Sequence, residues 1–289
     1  MSKYKVAIDS GHGSNTAGKR HPDGYREHYS NTYIAYYLDQ ILTKNGIETF
    51  KSSWDDAIVT DDADLSLANR QAQIKAANCT ISVSIHANAF GDGSSYNSAN
   101  GIETYVHSYN VGDSKNLAEK VQAQLIKGTS QTNRGIKQNS FAMCNCIALG
   151  VHAAILIETA FMTNKVESEL LKSDSYWRET AKEIAQGIFD YLGISGNVNI
   201  SLVSAVKESS ENNTSSSSVI VKDGDIYNLS NTPIYSSATT STISSRKTGT
   251  YYIWSSEVIN NRVRITNSKS KVGISGQVTG WVNVSDLSM

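Results

Sequence analysis

Along the first two thirds of the chain, short apolar runs alternate with stretches whose apolar positions recur every three or four residues. Runs of the first kind lie at Tyr4–Ile8, Gly46–Lys51, Thr80–His86, Gly101–His107 and Ala153–Glu158, with a shorter one near Gly135–Lys137. Their length and β-branched content predict strands. Between the first two, Tyr33, Ile34, Tyr37, Leu38, Ile41 and Leu42 share one helical face, and Gly46 stands just beyond as a stop. The same spacing predicts helices over Leu65–Ala77, through Leu117, Val121 and Leu125 ahead of Gly128, and from Trp177 to Leu192 ahead of Gly193. Strand alternating with helix predicts an α/β fold, a mostly parallel sheet flanked by helices, over residues 1–194.

The pattern breaks after Ile194. Residues 195–218 are rich in serine and asparagine and end in NNTSSSS, a composition that buries too little to offset its ordering entropy, so a linker is expected there. From 219 to 289 the helical period is gone, and short runs at Ile226–Leu229, Tyr251–Trp254, Arg262–Thr266 and Gly280–Val284 are separated by turns such as Asn260-Asn261. A small all-β barrel is expected. Its aromatic residues Tyr227, Tyr235, Tyr251, Tyr252, Trp254 and Trp281 either fill its core or line a carbohydrate or peptide groove.

Composition narrows the partners. With 26 Lys and Arg against 27 Asp and Glu, the net charge of -1 gives no electrostatic case for nucleic acid or an anionic membrane. No apolar run approaches the ~20 residues of a membrane span. The amino terminus enters a strand at once without an apolar signal segment, so synthesis is expected to end in the cytoplasm. Cys79, Cys144 and Cys146 are an odd set without C-x-x-C spacing, which predicts buried thiols rather than a disulfide framework.

Chemistry gathers at strand ends. His12 follows Val6-Ala7-Ile8, His86 follows Ile81–Ile85, and Glu158 follows Ala154–Ile157; parallel strands would carry all three to one sheet edge, where open α/β sheets bind ligands. Gly11 and Gly13 flank His12, as though to let the backbone turn sharply. Glu27, expected in the polar loop before the first helix, would reach the same edge, with His28 and His21 as alternatives and His107 and His152 as structural residues. Two imidazoles and a carboxylate with an open position suit zinc. Asp9 and Ser84 are candidates to orient the His12 and His86 rings. Gly11-His12-Gly13 also begins a G-x-G-x-x-G pattern, but Thr16 stands at its third glycine, so a nucleotide loop is a weak reading.

Taken in order, AIDSGHG, Glu27 ahead of Asn31, SVSIHAN, GIETYV, RGIK and ILIETAFMTN resemble the zinc-dependent N-acetylmuramoyl-L-alanine amidases of the amidase-3 type over residues 1–194. Two features depart from the family pattern: Ala160 and Thr163 replace its usual glycine and serine, and its T-R pair after the second strand is absent from FKSSWDDA. The resemblance implies His12, Glu27 and His86 as ligands of one catalytic Zn2+, Glu158 as the catalytic glutamate, and peptidoglycan as substrate. GTYYIWSS, RVRITNS and GQVTGWVNVSDL resemble bacterial SH3-like wall-binding modules over 219–289. The expectation is a phage endolysin of a Gram-positive host, acting on the wall after membrane permeabilisation. A host autolysin, a zinc peptidase cutting within the stem peptide and a non-catalytic wall-binding protein are the alternatives.

Overall fold

In β1 (Lys5–Ser10) Val6 and Ile8 face one side of the sheet while Ala7 and Asp9 face the other, the two-residue period of a pleated strand. That alternation organises the α/β unit. The computed structural model describes residues 3–109, 112–127, 129–205, 222–237, 243–259, 262–274 and 277–287. The expected helix stop Gly128, the turn Asn260-Asn261 and residues 206–218 of the expected linker lie outside them. The chain divides into two compact units, Met1–Glu208 and Ser209–Met289.

After β1 come α1 (Glu27–Lys44), β2 (Glu48–Ser52), α2 (Leu67–Ala76), β3 (Ile81–Asn88), β4 (Ile102–Val106), α3 (Gly112–Leu125), β5 (Asn133–Gln138), α4 (Cys146–Leu149), β6 (Ala153–Phe161), α5 (Lys165–Leu170) and α6 (Asp174–Leu192). The sheet runs β2-β1-β3-β6-β4-β5. All pairings are parallel except β4 with β6, so the mostly parallel sheet carries one reversed seam.

Val6, Ile8, Ile81, Val83, Ile85, Ile155 and Ile157 pack under α1, α3 and α6 in one large core. Each fully buried side chain of this kind contributes about 1.5–3 kcal/mol, and truncating the buried Leu38 of α1 should cost about 2–5 kcal/mol. The opposite face holds a smaller cluster of Ala7, Ile74, Met143, Leu149 and Ala154 beneath α2 and α4. By strand alternation, Asp9, Ser84, His86 and Glu158 belong to that second face, and the parallel register sets His86 beside Glu158. The three cysteines are free and buried. Among the described residues, no helix is long and apolar enough to cross a membrane.

Residues 195–205 correct the expected start of the linker. Val198, Ile200 and Leu202 pack against the large core, Val203 exchanges hydrogen bonds with the Gln40 side chain at 2.8 and 3.1 Å, and the Ala205 N–H donates to the Tyr37 hydroxyl at 2.8 Å. The period-two apolar positions 198, 200 and 202 are the reason; the surrounding serines and asparagines mask them in composition.

In the second unit, β7 (Ile226–Tyr235), β8 (Ile243–Ile259), β9 (Arg262–Thr266) and β10 (Gly280–Asn283) close into a barrel in the order β10-β7-β8-β9. Tyr227, Leu229, Ile234, Ile253, Val263, Ile265, Val282 and Leu287 fill it. The aromatic residues divide: Tyr227 belongs to this core, whereas Trp254 and Trp281 are half-buried, with the Arg264 guanidinium 4.6 and 5.3 Å from their ring centres.

Candidate metal centre

His12 sits just past the end of β1 with φ +64°, a left-handed conformation uncommon for a residue with a side chain. The flanking glycines have ordinary φ and serve a different purpose from the sharp turn expected of them. A Cβ on Gly11 would lie 2.4 Å from the His86 ring, and one on Gly13 would lie 2.2 Å from the Asp64 nitrogen. They let the two imidazoles and the neighbouring loop close up.

Glu27 is the first residue of α1 rather than part of the preceding loop. Its N–H donates to the Lys19 carbonyl at 3.1 Å, so the carboxylate enters the site from a fixed helix end. Glu27 Oε2 lies 3.2 Å from His12 Nε2, and Oε1 lies 3.0 Å from His86 Nδ1 and accepts from the Ala87 N–H at 3.1 Å. The two rings meet edge to face with centres 4.9 Å apart. One ligating atom from each of His12, Glu27 and His86 falls within 4.8 Å of the others. Two nitrogens and one oxygen at this spacing fit a divalent ion of zinc's preferences, with room for a further ligand.

These three line a cavity of about 510 Å³ together with Glu158, Leu67, Phe141, Met143 and the cations Lys19 and Arg20. The fit extends to Glu158, whose Oε2 is buried and has no hydrogen-bond partner among the described residues. Burial, and then the charges of Glu27 and Glu103, hold Glu158 well above the usual carboxylate range. Burial also pushes Glu27 upward, but His12 and His86 outweigh it through charge and hydrogen bonding and keep Glu27 well below that range.

The other histidines stay out of the cluster. His28 is buried, with Nδ1 3.0 Å from the Gly11 carbonyl and Nε2 3.0 Å from Asp62. His21 is 1% exposed and packs on Tyr25; burial, then the Lys172 charge, lower it to about 4. The His107 ring accepts from the Tyr109 N–H at 3.3 Å, and His152 is exposed. Ser84 donates to Asp9 Oδ2 at 2.6 Å, and among the described residues neither of the two bonds to the His12 or His86 ring.

Sequence reasoning missed two residues here. Glu103 on β4 is the register partner of Glu158 across the reversed seam, a neighbour that depends on strand order. It is 1% exposed and held by Asn88, Tyr105, Arg134 and Lys137. Arg70 on α2 is 2% exposed beneath His12. Its signal was legible, since a charged residue on the apolar stripe of a helix must find partners.

Residues 6–190 match the profile of the N-acetylmuramoyl-L-alanine amidase family. The chain is 32% identical over 187 residues to the N-acetylmuramoyl-L-alanine amidase LytC of Bacillus subtilis, covering 64% of this chain and 35% of that one. It is 28% identical over 196 residues to the endolysin of Bacillus phage SPP1, covering 67% and 68%. Among solved structures, an N-acetylmuramoyl-L-alanine amidase from Clostridium difficile 630 superposes with a TM-score of 0.58 at 32% identity, covering 68% of this chain and 100% of that one.

Proposed function

Because the chain belongs to the N-acetylmuramoyl-L-alanine amidase family, we propose that it hydrolyses the amide between N-acetylmuramic acid and the L-alanine of the peptidoglycan stem peptide. In this reading His12, Glu27 and His86 hold one zinc ion and Glu158 moves the proton. The observation that carries it is the meeting of His12, Glu27 and His86 in one cavity with a buried carboxylate oxygen that lacks a partner among the described residues.

Zinc, when bound, supplies a Lewis acid that polarises the amide carbonyl and brings the ionisation of water toward neutral pH. The residues around it divide the remaining work. His12 and His86 would ligate as neutral rings and Glu27 as a carboxylate, an anion that also accepts from the Ala87 N–H. Glu158 Oε2 accepts the proton of the attacking water and returns it to the departing alanine nitrogen, a role contributing about 10²- to 10⁴-fold. A carboxyl raised by burial and by neighbouring carboxylates is the stronger base. Leu67, Phe141 and Met143 supply an apolar part of the cavity lining.

The likeness to a phage endolysin and to LytC supports a wall-lytic role, in the reading preferred here that of an endolysin acting on a Gram-positive wall. The half-buried Trp254 and Trp281 around Arg264 support a wall-binding role for the barrel, read as SH3-like. Digestion of purified walls tests the reaction: amidase cleavage frees the alanine amino group and leaves the muramic lactyl carboxylate. Free amino groups from any other residue, or lysis that survives chelation, would remove the proposal.

A further inference from the structure

The left-handed backbone of His12 is held from below by one side chain. Arg70 directs each of its five N–H donors to a separate acceptor. Nε donates to the Leu65 carbonyl at 3.1 Å, Nη1 to Asp9 Oδ1 at 3.1 Å and the Ser10 carbonyl at 2.7 Å, and Nη2 to the His12 carbonyl at 2.6 Å and Asp64 Oδ1 at 2.7 Å. Two of these bonds bracket Gly11, so the guanidinium grips the turn on both sides.

The grip extends in two directions. Asp64 Oδ2 accepts from Thr16 at 2.6 Å, and the Thr16 hydroxyl accepts from the Gly13 N–H at 2.9 Å. Asp9 Oδ2 accepts from Ser84 at 2.6 Å, on the strand that delivers His86 two residues later. One buried cation therefore joins the turn carrying His12 to the strand carrying His86.

We infer that Arg70, braced by Asp64, is a positioning residue for the metal centre: it holds His12 in the left-handed conformation that turns its imidazole toward Glu27 and His86. The inference rests on the reading that His12 binds the metal. It specifies Arg and not merely a positive charge. Lysine would still neutralise Asp9, but its single nitrogen with three donors cannot span acceptors on residues 9, 10, 12, 64 and 65.

Zinc affinity by chelator competition, the cobalt(II) absorption spectrum and the melting temperature of the metal-free full chain test this in Arg70→Lys and Asp64→Ala. Ile188→Val, a change in the buried core of α6, controls for general loosening. Arg70→Lys is expected to bind zinc about 10- to 100-fold more weakly and to alter the cobalt spectrum; Asp64→Ala should weaken binding in the same direction by less, and Ile188→Val should leave both unchanged. Wild-type zinc affinity with an unaltered cobalt spectrum in Arg70→Lys would overturn the inference. If Arg70→Lys does not fold, unchanged zinc affinity in Asp64→Ala overturns it. A wild-type chain that binds no zinc removes the metal reading itself, a separate result from the loss of Arg70's role.

Discussion

Glu27 and Glu158 face one cavity from opposite elements, and burial pushes both carboxyls upward, yet they end on opposite sides of the ordinary carboxylate range. Partners make the difference. Glu27 meets His12, His86 and the Ala87 N–H at 3.0–3.2 Å, so its surroundings are built for negative charge. Glu158 has an oxygen without a partner among the described residues and two carboxylates for neighbours, so its surroundings favour holding a proton. In the proposed function the two glutamates take different roles, ligand and proton carrier, and their environments differ in the sense each role requires.

The largest expected effect breaks the second half of that comparison. Glu158→Gln should lower wall hydrolysis by about 10²- to 10⁴-fold while zinc content stays at the wild-type level. A variant that keeps more than a tenth of its activity would take Glu158 out of the proton transfer. On the other side, Glu27→Gln should weaken zinc binding by at least about 100-fold, beyond the range of an outer partner, and activity should return in part at high zinc. Unchanged affinity in a chelator titration would show that Glu27 is no ligand.

A smaller effect sharpens the contrast in the metal-free protein. The folded-state shift of Glu27 is downward from 4.5, so its contribution to stability is present above that value and is lost as pH falls. Glu158 is shifted upward from 4.5, so its contribution is present below that value and is lost as pH rises. In chelator at pH 7, Glu27→Gln should therefore melt lower than wild type and Glu158→Gln higher, by roughly 2–4 °C for each ~1 kcal/mol in a unit of this size. Shifts of the same sign in calorimetry would contradict the opposition of the two environments.

How much of this contrast could be read from sequence follows from the range of the forces involved. Local periodicity announced the strands delivering His12, His86 and Glu158, because a buried strand is an apolar run whatever lies next to it. The ends of elements were harder. Glu27 reads as a loop residue because the apolar stripe of α1 becomes evident only some residues later, whereas the helix starts without a side-chain cap at Arg26. Strand order was invisible: nothing local in GIETYV says that β4 lies antiparallel to β6 and brings Glu103 beside Glu158. Arg70 and the strand-like alternation at Val198, Ile200 and Leu202 were both present in the pattern. A single charged residue inside the predicted helix Leu65–Ala77 does not say which partners it finds, and polar neighbours hide the alternation at 198–202.

Glu183 tests whether a raised carboxyl by itself marks a working site. It stands on α6 and does not line the cavity of the candidate metal centre, yet burial, then the Glu179 charge one helical turn away, raise it from 4.5 to about 8. The sign matches that of Glu158: its stabilising contribution is complete below about 4.5 and fades as pH rises through about 8. Glu183→Gln removes the titrating group while keeping the side chain's shape, so it should flatten this part of the stability profile and raise the melting temperature more at pH 8 than at pH 5. Wall hydrolysis should be unchanged, because nothing in the proposed chemistry passes through α6. A Glu183→Gln chain that melts like wild type at every pH would show this carboxyl to be well solvated; one that melts higher but loses activity would show that the metal centre does not contain all the carboxylates the reaction needs.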